Sequence, residues 1–150
     1  MLSNISVLKF RPIQKLIKGI GQDVKKYFGK DRGCIIALGD DGVFYGLGLY
    51  QWLSQKKKDI VFTTMDDNGK GLEEEKVKGR KVLIVDNDII SGKSYKRAMD
   101  VMKEKKERLK IKDIKFAVLC DRTGLADFSV EGYSAYAPWS LEKLDATDLK

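Results

Sequence analysis

The sequence predicts an α/β fold of three layers, with a mostly parallel central sheet and helices on both of its faces. Short apolar, β-branched runs alternate along the chain with longer segments of helical periodicity, which is typical of such folds. The composition agrees, because 43% of the residues are hydrophobic and 34% are charged. We expect one domain over residues 1–150, since this length is sufficient to bury a single core.

The first predicted element is an amphipathic helix from Pro12 to Phe28. Its apolar side chains recur at intervals of three and four residues, and they define one helical face: Ile13, Leu16, Ile17, Ile20, Val24 and Tyr27. Gly29 is expected to end the helix, because glycine readily adopts the left-handed conformation found after a helix C-terminus.

Two further strands follow the first helix. Cys34 to Leu38 is predicted as a short strand, and a Gly-Asp-Asp-Gly turn at residues 39–42 leads from it into a helix from Val43 to Gln55. Ile60 to Thr64 is a strand rich in β-branched residues. Residues 65–80 carry glycines and charges without a clear period, so we expect a long mobile loop or a short hairpin over the sheet edge.

The most informative stretch begins with a buried central strand from Lys81 to Val85. Polar residues 86–88 (Asp-Asn-Asp) follow at once, and residues 91–94 (Ser-Gly-Lys-Ser) open a helix predicted over residues 94–109. A loop between the carboxyl end of a strand and a helix N-terminus suits an anion, because unpaired N–H groups and the helix dipole meet there.

The residue types in this loop fit a sugar phosphate. Gly92 allows close approach of the backbone to a ligand, and the hydroxyls of Ser91 and Ser94 can donate hydrogen bonds. The acids before the loop can bind sugar hydroxyls or a magnesium ion.

The last predicted strands run from Lys115 to Cys120 and from Tyr133 to Ala137, and the polar tail after Leu141 is expected to fray. In parallel sheets, ligands bind at the carboxyl ends of the strands. We therefore expect one ligand-binding cleft at this edge of the sheet, with a small hood or mobile loop over it. The segments around it should be the turn at 39–42, the 65–80 loop, residues 86–94 and the segment after Cys120.

Two other interpretations of residues 91–94 compete with a sugar-phosphate loop. A Walker A loop also ends in Gly-Lys-Ser, but its first glycine would fall on Asn87, so this interpretation is disfavoured. The segment can also be an ordinary strand–turn–helix connection in which Gly92 serves only as a turn residue. The apolar run, the acids and Ser-Gly-Lys-Ser in one block favour the sugar-phosphate interpretation.

The stretch from Val82 to Ser94 resembles the phosphoribosyl-pyrophosphate loop of type I phosphoribosyltransferases. The order of elements from Phe10 to Trp139 is most similar to the small hypoxanthine/xanthine/guanine group, and weaker matches support it at residues 34–53, 79–86, 126–128 and 138–139.

The resemblance implies transfer of a phosphoribosyl group between phosphoribosyl pyrophosphate and a purine-like nucleobase in nucleotide salvage, with Mg²⁺ bound to the substrate. It also implies a role for each candidate residue. The catalytic residues at the reacting sugar are Asp86, Asn87 and Asp88, and Asp86 also meets the substrate-bound metal. The 5′-phosphate is bound by Ser91, Gly92, Lys93 and Ser94, the pyrophosphate by Gly39, Asp40, Asp41 and Gly42, and the base by Asp121, Tyr136 and Trp139. A homo-oligomer, either a dimer or a tetramer, is also expected.

Several residues depart from the family pattern. Asn87 stands where a second acid is usual, and Ile90 stands where the purine enzymes carry an aspartate. Asp40 and Asp41 replace the usual basic or neutral residue, and Asp121 aligns with a lysine. These departures motivate an alternative: a catalytically impaired protein of the same fold that binds a nucleotide or sugar phosphate in a regulatory role.

Composition narrows the function classes further. The chain has no histidine, which excludes Ser-His-Asp and Cys-His catalysis, and its two isolated cysteines argue against a zinc site. Cys34 and Cys120 are expected in the core, in a reducing compartment.

No apolar stretch approaches ~18 residues, so we predict no membrane span and expect a cytoplasmic protein. The net charge of +7 permits nucleic-acid binding, which ranks last because no aromatic residues interleave with the lysines.

Overall fold

The computed structural model describes residues 7–131, which build a parallel five-stranded sheet in the order β2-β1-β3-β4-β5. In chain order the elements are α1 (Arg11–Phe28), β1 (Gly33–Leu38), α2 (Gly39–Ser54), β2 (Ile60–Met65), a short 3-10 helix (Glu74–Lys76), β3 (Lys81–Ile89), α3 (Lys93–Lys106), β4 (Asp113–Asp121) and β5 (Phe128–Glu131). The predicted α/β class is confirmed. No helix within the described residues is both long and apolar enough to cross a membrane.

The two faces of the sheet bury different helices, because side chains of a strand alternate between its faces. On β3, Leu83 and Val85 pack with α1 and α2, whereas Val82 and Ile84 pack with α3. All four of these side chains are fully buried. The predicted three-layer arrangement, with helices on both faces of the sheet, is therefore confirmed.

Helix α1 agrees closely with its prediction. It begins at Arg11, one residue before the predicted start. Four residues of the predicted apolar face are buried and two, Ile17 and Tyr27, are partly buried, while Gly21 and Phe28 are buried in addition. Gly29 follows the helix with φ of +53°, and its N–H donates to the Lys25 carbonyl at 3.0 Å. The predicted stop at Gly29 is confirmed.

The predicted turn at residues 39–42 is wrong, because α2 begins directly at Gly39. Gly39 has a φ of +66°, so this one residue redirects the chain from β1 into the helix. Asp40 and Asp41 consequently lie in the first turn of α2, where the helix dipole favours acidic side chains.

The β2–β3 connection, residues 66–80, contains a short 3-10 helix and no strand, so the predicted hairpin is wrong. Its predicted mobility stays a prediction, and ion pairs link the connection to α3. Asp67 accepts two contacts from the Arg97 guanidinium, at 2.7 Å and 2.6 Å. Glu74 pairs with Lys105 and Arg108, both on or just after α3. Because α3 runs back from the carboxyl end of the sheet, the Asp67 pair holds the connection near that end and the Glu74 pairs hold it near the opposite end.

Replacing Arg97 by alanine should release the near part of this connection. We expect faster amide hydrogen exchange at residues 67–72, while the free energy of unfolding falls by less than about 1 kcal/mol because the ion pair is partly exposed. The exposed neighbour Lys96, changed to alanine, is the matched control. Equal exchange in both variants would show that Arg97 does not anchor the connection.

The end of β3 and the last strand also differ from prediction. Strand β3 continues to Ile89, four residues beyond the predicted end, so Asp86 and Asp88 are strand residues paired with β4. Strand β5 was not predicted, and the predicted strand from Tyr133 to Ala137 lies outside the described residues.

The connection from β4 to β5 is short for a parallel pair. Only residues 122–127 form it. They suffice because β5 begins opposite Ala117, in the middle of β4, so the chain does not have to return to the start of that strand. The Asp121 carboxylate and Asp127 hold this return. Asp127 accepts a hydrogen bond from the Phe116 N–H at 2.9 Å.

The two cysteines differ in burial. Cys34 is fully buried in β1, and burial raises the pKa of its thiol to about 12, which confirms it as a core residue. Cys120 is only half-buried in β4, where its Sγ lies 3.1 Å from a Glu131 carboxylate oxygen. The prediction of a core position is therefore wrong for Cys120.

Candidate functional site

A cleft of about 420 Å³ opens at the carboxyl ends of β1 and β3. The N-termini of α2 and α3 form two of its sides, and the β2–β3 connection contributes a third. Its lining includes most of the residues predicted for the sugar and its phosphates: Gly39, Asp40, Asp41, Asp86, Asn87, Asp88, Ser91, Gly92, Lys93 and Ser94. Sequence positions more than 50 residues apart thus meet in one concave site, as the parallel topology predicts.

The start of α3 forms an anion cradle on one side of this cleft. Gly92 has φ of +87°, and its left-handed conformation turns the chain into the helix that begins at Lys93. The first N–H groups of a helix have no partner within the helix, and the dipole adds partial positive charge there. With the adjacent Ser91 and Ser94 hydroxyls and the Lys93 ammonium, this segment can bind a phosphate group.

Asp86 faces the cradle from β3 and is half-buried. Burial is the main reason that its pKa rises to about 7, and the nearby charges of Asp88 and Asp41 raise the pKa further. The Asn87 N–H opposes this effect by donating to Asp86 Oδ1 at 2.7 Å. The pKa of Asp88 is also raised, by burial and by Asp41. Two half-buried carboxylates so close to other acids favour a cation or a hydroxyl donor beside them.

Most of the charge in the lining is negative. Acidic side chains come from α2, from the β2–β3 connection and from β3: Asp40, Asp41, Asp66, Asp67, Asp86 and Asp88. Among the lining residues the basic side chain is Lys93, in the cradle. The cleft is therefore electrostatically divided, with an anion cradle at α3 and an acidic remainder.

Gly42 brings the start of α2 against β3. A Cβ atom at Gly42 would lie 2.7 Å from the Val85 carbonyl oxygen and 3.4 Å from the Asp86 Cα. Both neighbours are backbone atoms, which do not move aside as a flexible side chain does. The absence of a side chain at this residue thus sets the distance between α2 and Asp86.

Changing Gly42 to alanine should therefore destabilise the fold, despite the better helix propensity of alanine. We expect the free energy of unfolding to fall by about 1–3 kcal/mol in urea denaturation, from overpacking against Val85. Phe44→Ala, at an exposed position on the same helix, is the control and should change stability much less. A Gly42→Ala variant as stable as the parent would mean that α2 can shift at no cost.

The structure assigns Asp121 a local structural task. Its carboxylate accepts hydrogen bonds from the backbone N–H groups of Thr123, Gly124 and Ala126, at 2.8–3.1 Å, and from the Thr123 hydroxyl at 2.7 Å. Burial raises the pKa of Asp121, but these hydrogen bonds outweigh burial and lower it overall. Asp121 is absent from the cleft lining, so its predicted contact with a base has no support in this geometry.

Other base-site predictions fall elsewhere. Tyr136 and Trp139 lie outside the described residues. The cleft lining also includes residues that the sequence did not single out as site residues: Asp66, Asp67, Tyr95 and Phe116. Tyr95 and Phe116 meet edge to face, with ring centroids 4.9 Å apart. Tyr95 directly follows the Ser-Gly-Lys-Ser segment, and this position in the sequence was the one signal that could have identified Tyr95 as a cleft residue.

Comparison with known proteins identifies related sequences and structures. A family model described as a phosphoribosyl transferase domain matches residues 46–137. A search of curated protein sequences gives no match.

Solved structures share the fold at low sequence identity. A purine phosphoribosyltransferase from Pyrococcus horikoshii is 21% identical, with a TM-score of 0.56 over 81% of this chain and 82% of the other. A hypoxanthine-guanine-xanthine phosphoribosyltransferase is 19% identical, with a TM-score of 0.64 over 81% and 73%. A hypoxanthine-guanine phosphoribosyltransferase from Bacillus anthracis is 18% identical, with a TM-score of 0.59 over 81% and 77%.

Proposed function

The chain belongs to the phosphoribosyl transferase family, since the family model matches more than half of its 150 residues, and we propose that it transfers a phosphoribosyl group between phosphoribosyl pyrophosphate and a nucleobase. The observation that carries this proposal is the joint position of the α3 cradle and Asp86 in one cleft. A ribose 5-phosphate needs both an anion site and a hydroxyl acceptor, a few ångströms apart.

Each group in the cleft has a role in this proposal. The backbone and hydroxyls of Ser91 to Ser94 hold the 5′-phosphate, and Asp86 accepts hydrogen bonds from the ribose hydroxyls. The start of α2 faces the diphosphate at the anomeric carbon. We further propose a purine as the base, because the structural neighbours described above are purine enzymes. Tyr136 and Trp139 remain predictions for the base contact.

The residues of the cleft fit a magnesium ion. Among residues 7–131, no group of three or more His, Cys, Asp or Glu side chains could hold a metal ion by itself. Mg²⁺ is commonly held by one or two carboxylates together with substrate phosphates, and half-buried, uncompensated acids suit that arrangement. Asp86 would hold the ion, with Asp88 beside it. When bound, the ion neutralises negative charge on the diphosphate.

The chemistry needs positioning more than covalent participation. The bond between the anomeric carbon and the diphosphate breaks, and the diphosphate leaves. A base nitrogen forms the new bond and loses its proton to solvent, and positive charge develops on the sugar in the transition state. The chain fixes the phosphate at α3 and the hydroxyls at Asp86, which orients the anomeric carbon towards the base. The aspartates of the cleft stabilise the developing positive charge.

Pyrophosphate release from phosphoribosyl pyrophosphate, measured with magnesium across a panel of purine and pyrimidine bases, tests the proposal. We expect release with at least one purine, and a large loss of release in Ser94→Ala. The exposed Ser54→Ala, at the C-terminal end of α2 and outside the cleft, is the matched control. No release with any base would contradict the enzymatic proposal.

A second candidate is a regulatory protein that binds a nucleotide or sugar phosphate without turnover. Ile90 favours it, because this apolar residue lines the cleft and cannot transfer a proton to or from a base. Calorimetry separates the two candidates: this one predicts heat of binding with a nucleoside 5′-monophosphate and no pyrophosphate release. Absence of heat with nucleotides and sugar phosphates would contradict it.

A further inference from the structure

Asp86 by itself is an incomplete partner for a divalent cation. One of its carboxylate oxygens already accepts the Asn87 N–H at 2.7 Å, and the Asn87 side chain is an uncharged amide. A cation shared with a diphosphate is better held when a second carboxylate faces the same position. Asp88 lines the same cleft but lies on the same strand as Asp86, so a second carboxylate that faces the ion from another side must come from another element.

Asp41 is placed to supply it. Its neighbour Gly42 packs so tightly on β3 that a Cβ there would lie 3.5 Å from Asp86 Oδ1. Asp41 directly precedes this contact in the first turn of α2, and both Asp41 and Asp86 line the cleft. Its charge acts on the pKa values of both Asp86 and Asp88. Asp40, one residue earlier, lines the same cleft but does not contribute to either of these shifts.

We propose that Asp41 and Asp86, from α2 and β3, jointly hold the divalent cation of the diphosphate substrate, so that Asp41 takes the place of the acid missing at residue 87. The inference rests on the proposed function, because it needs a phosphoribosyl diphosphate in this cleft. Gly42 then has a second purpose: its lack of a side chain permits the approach that pairs the two carboxylates.

The effect of Asp41 on diphosphate binding should change sign with the metal. Without a divalent cation, its charge repels the diphosphate, and removing it should strengthen binding. With magnesium, the same carboxylate binds the cation, and removing it should weaken binding. If Asp41 only repelled the ligand, removing its charge would strengthen binding in both conditions.

Isothermal titration of phosphoribosyl pyrophosphate, with magnesium and with a chelator, tests this inference on the parent and on Asp41→Asn. We expect Asp41→Asn to bind about tenfold more weakly than the parent with magnesium, and more tightly with the chelator. Asp40→Asn, which removes the same charge from the same helical turn, should show a clearly smaller loss with magnesium. Ribose 5-phosphate, which lacks the diphosphate, should bind the parent and Asp41→Asn alike.

Two results would overturn the inference. If the parent binds both ligands but Asp41→Asn keeps the parent's magnesium-dependent affinity, or Asp40→Asn loses as much, then Asp41 does not hold the cation and the proposed function stands. If the parent binds neither phosphoribosyl pyrophosphate nor ribose 5-phosphate, the inference and the proposed function both fail.

Discussion

Replacing Asp86 by asparagine is expected to reduce phosphoribosyl transfer about 100-fold or more, while making the ligand-free protein more stable at pH 8. The loss of activity follows because the amide is neutral, so it cannot hold the substrate-bound cation or stabilise positive charge on the sugar. The change is nearly isosteric, and the amide oxygen can still accept the Asn87 N–H.

The gain in stability follows from the raised pKa. The pKa of Asp86 is about 7 in the folded protein, against 3.8 for an ordinary aspartate. Between these values the folded state binds more protons than the unfolded state, so stability falls as pH rises from about 4 to above 7. Asparagine removes this penalty, which is about 1–4 kcal/mol at pH 8 and near zero below pH 4.

Urea denaturation at pH 4 and pH 8, together with pyrophosphate release, measures both effects. Asp100→Asn, an exposed acid on α3 outside the cleft, is the control and should change neither quantity appreciably. An Asp86→Asn variant that retains activity would show that Asp86 is not part of the active site. One that is less stable than the parent at pH 8 would show that the burial of the carboxylate carries no penalty.

Valine at Gly92 is expected to lower the affinity for ribose 5-phosphate about 100-fold or more, which corresponds to about 2.7 kcal/mol. The Gly92 φ of +87° is strongly disfavoured for a β-branched residue, and a Cβ atom there would lie 3.0 Å from Leu125 Cδ1. The strained backbone at the start of α3 should therefore shift away from the geometry that binds the phosphate. The strain should also lower the free energy of unfolding by about 1–3 kcal/mol.

Gly124→Val separates the strain from the loss of the cradle. Gly124 has a comparable φ of +77°, lies outside the cleft lining and has open space around its Cβ position. Calorimetry with ribose 5-phosphate should show weak binding for Gly92→Val and parent-like binding for Gly124→Val, although the positive φ should cost both variants stability in urea. Equal affinities in the two variants would mean that the phosphate binds elsewhere.

The sequence predicted the elements of this fold where local pattern decides them. The periodicity of α1 and the apolar run of β3 placed a helix and a central strand correctly, because each buries a face that the pattern makes visible. The pattern failed where tertiary contacts decide. The anchoring of Asp67 depends on Arg97, 30 residues away, and no local signal in residues 65–80 reveals that pairing.

The site was predictable to a similar extent. Residues 91–94 and Asp86 could be placed together, because a strand followed by a helix brings them to one edge of a parallel sheet. The hydrogen bonds that occupy Asp121 could not be foreseen, since its partners depend on how the short return into β5 folds. The close approach of α2 to Asp86 was hidden too, because it depends on packing at Gly42.

A crystal structure with phosphoribosyl pyrophosphate and magnesium tests the central claim most directly. We predict density for the 5′-phosphate against the backbone and hydroxyls of Ser91 to Ser94, with the ribose hydroxyls at Asp86. A phosphate bound away from the start of α3, or a ribose turned away from Asp86, would contradict the assignment of this cleft as the phosphoribosyl site.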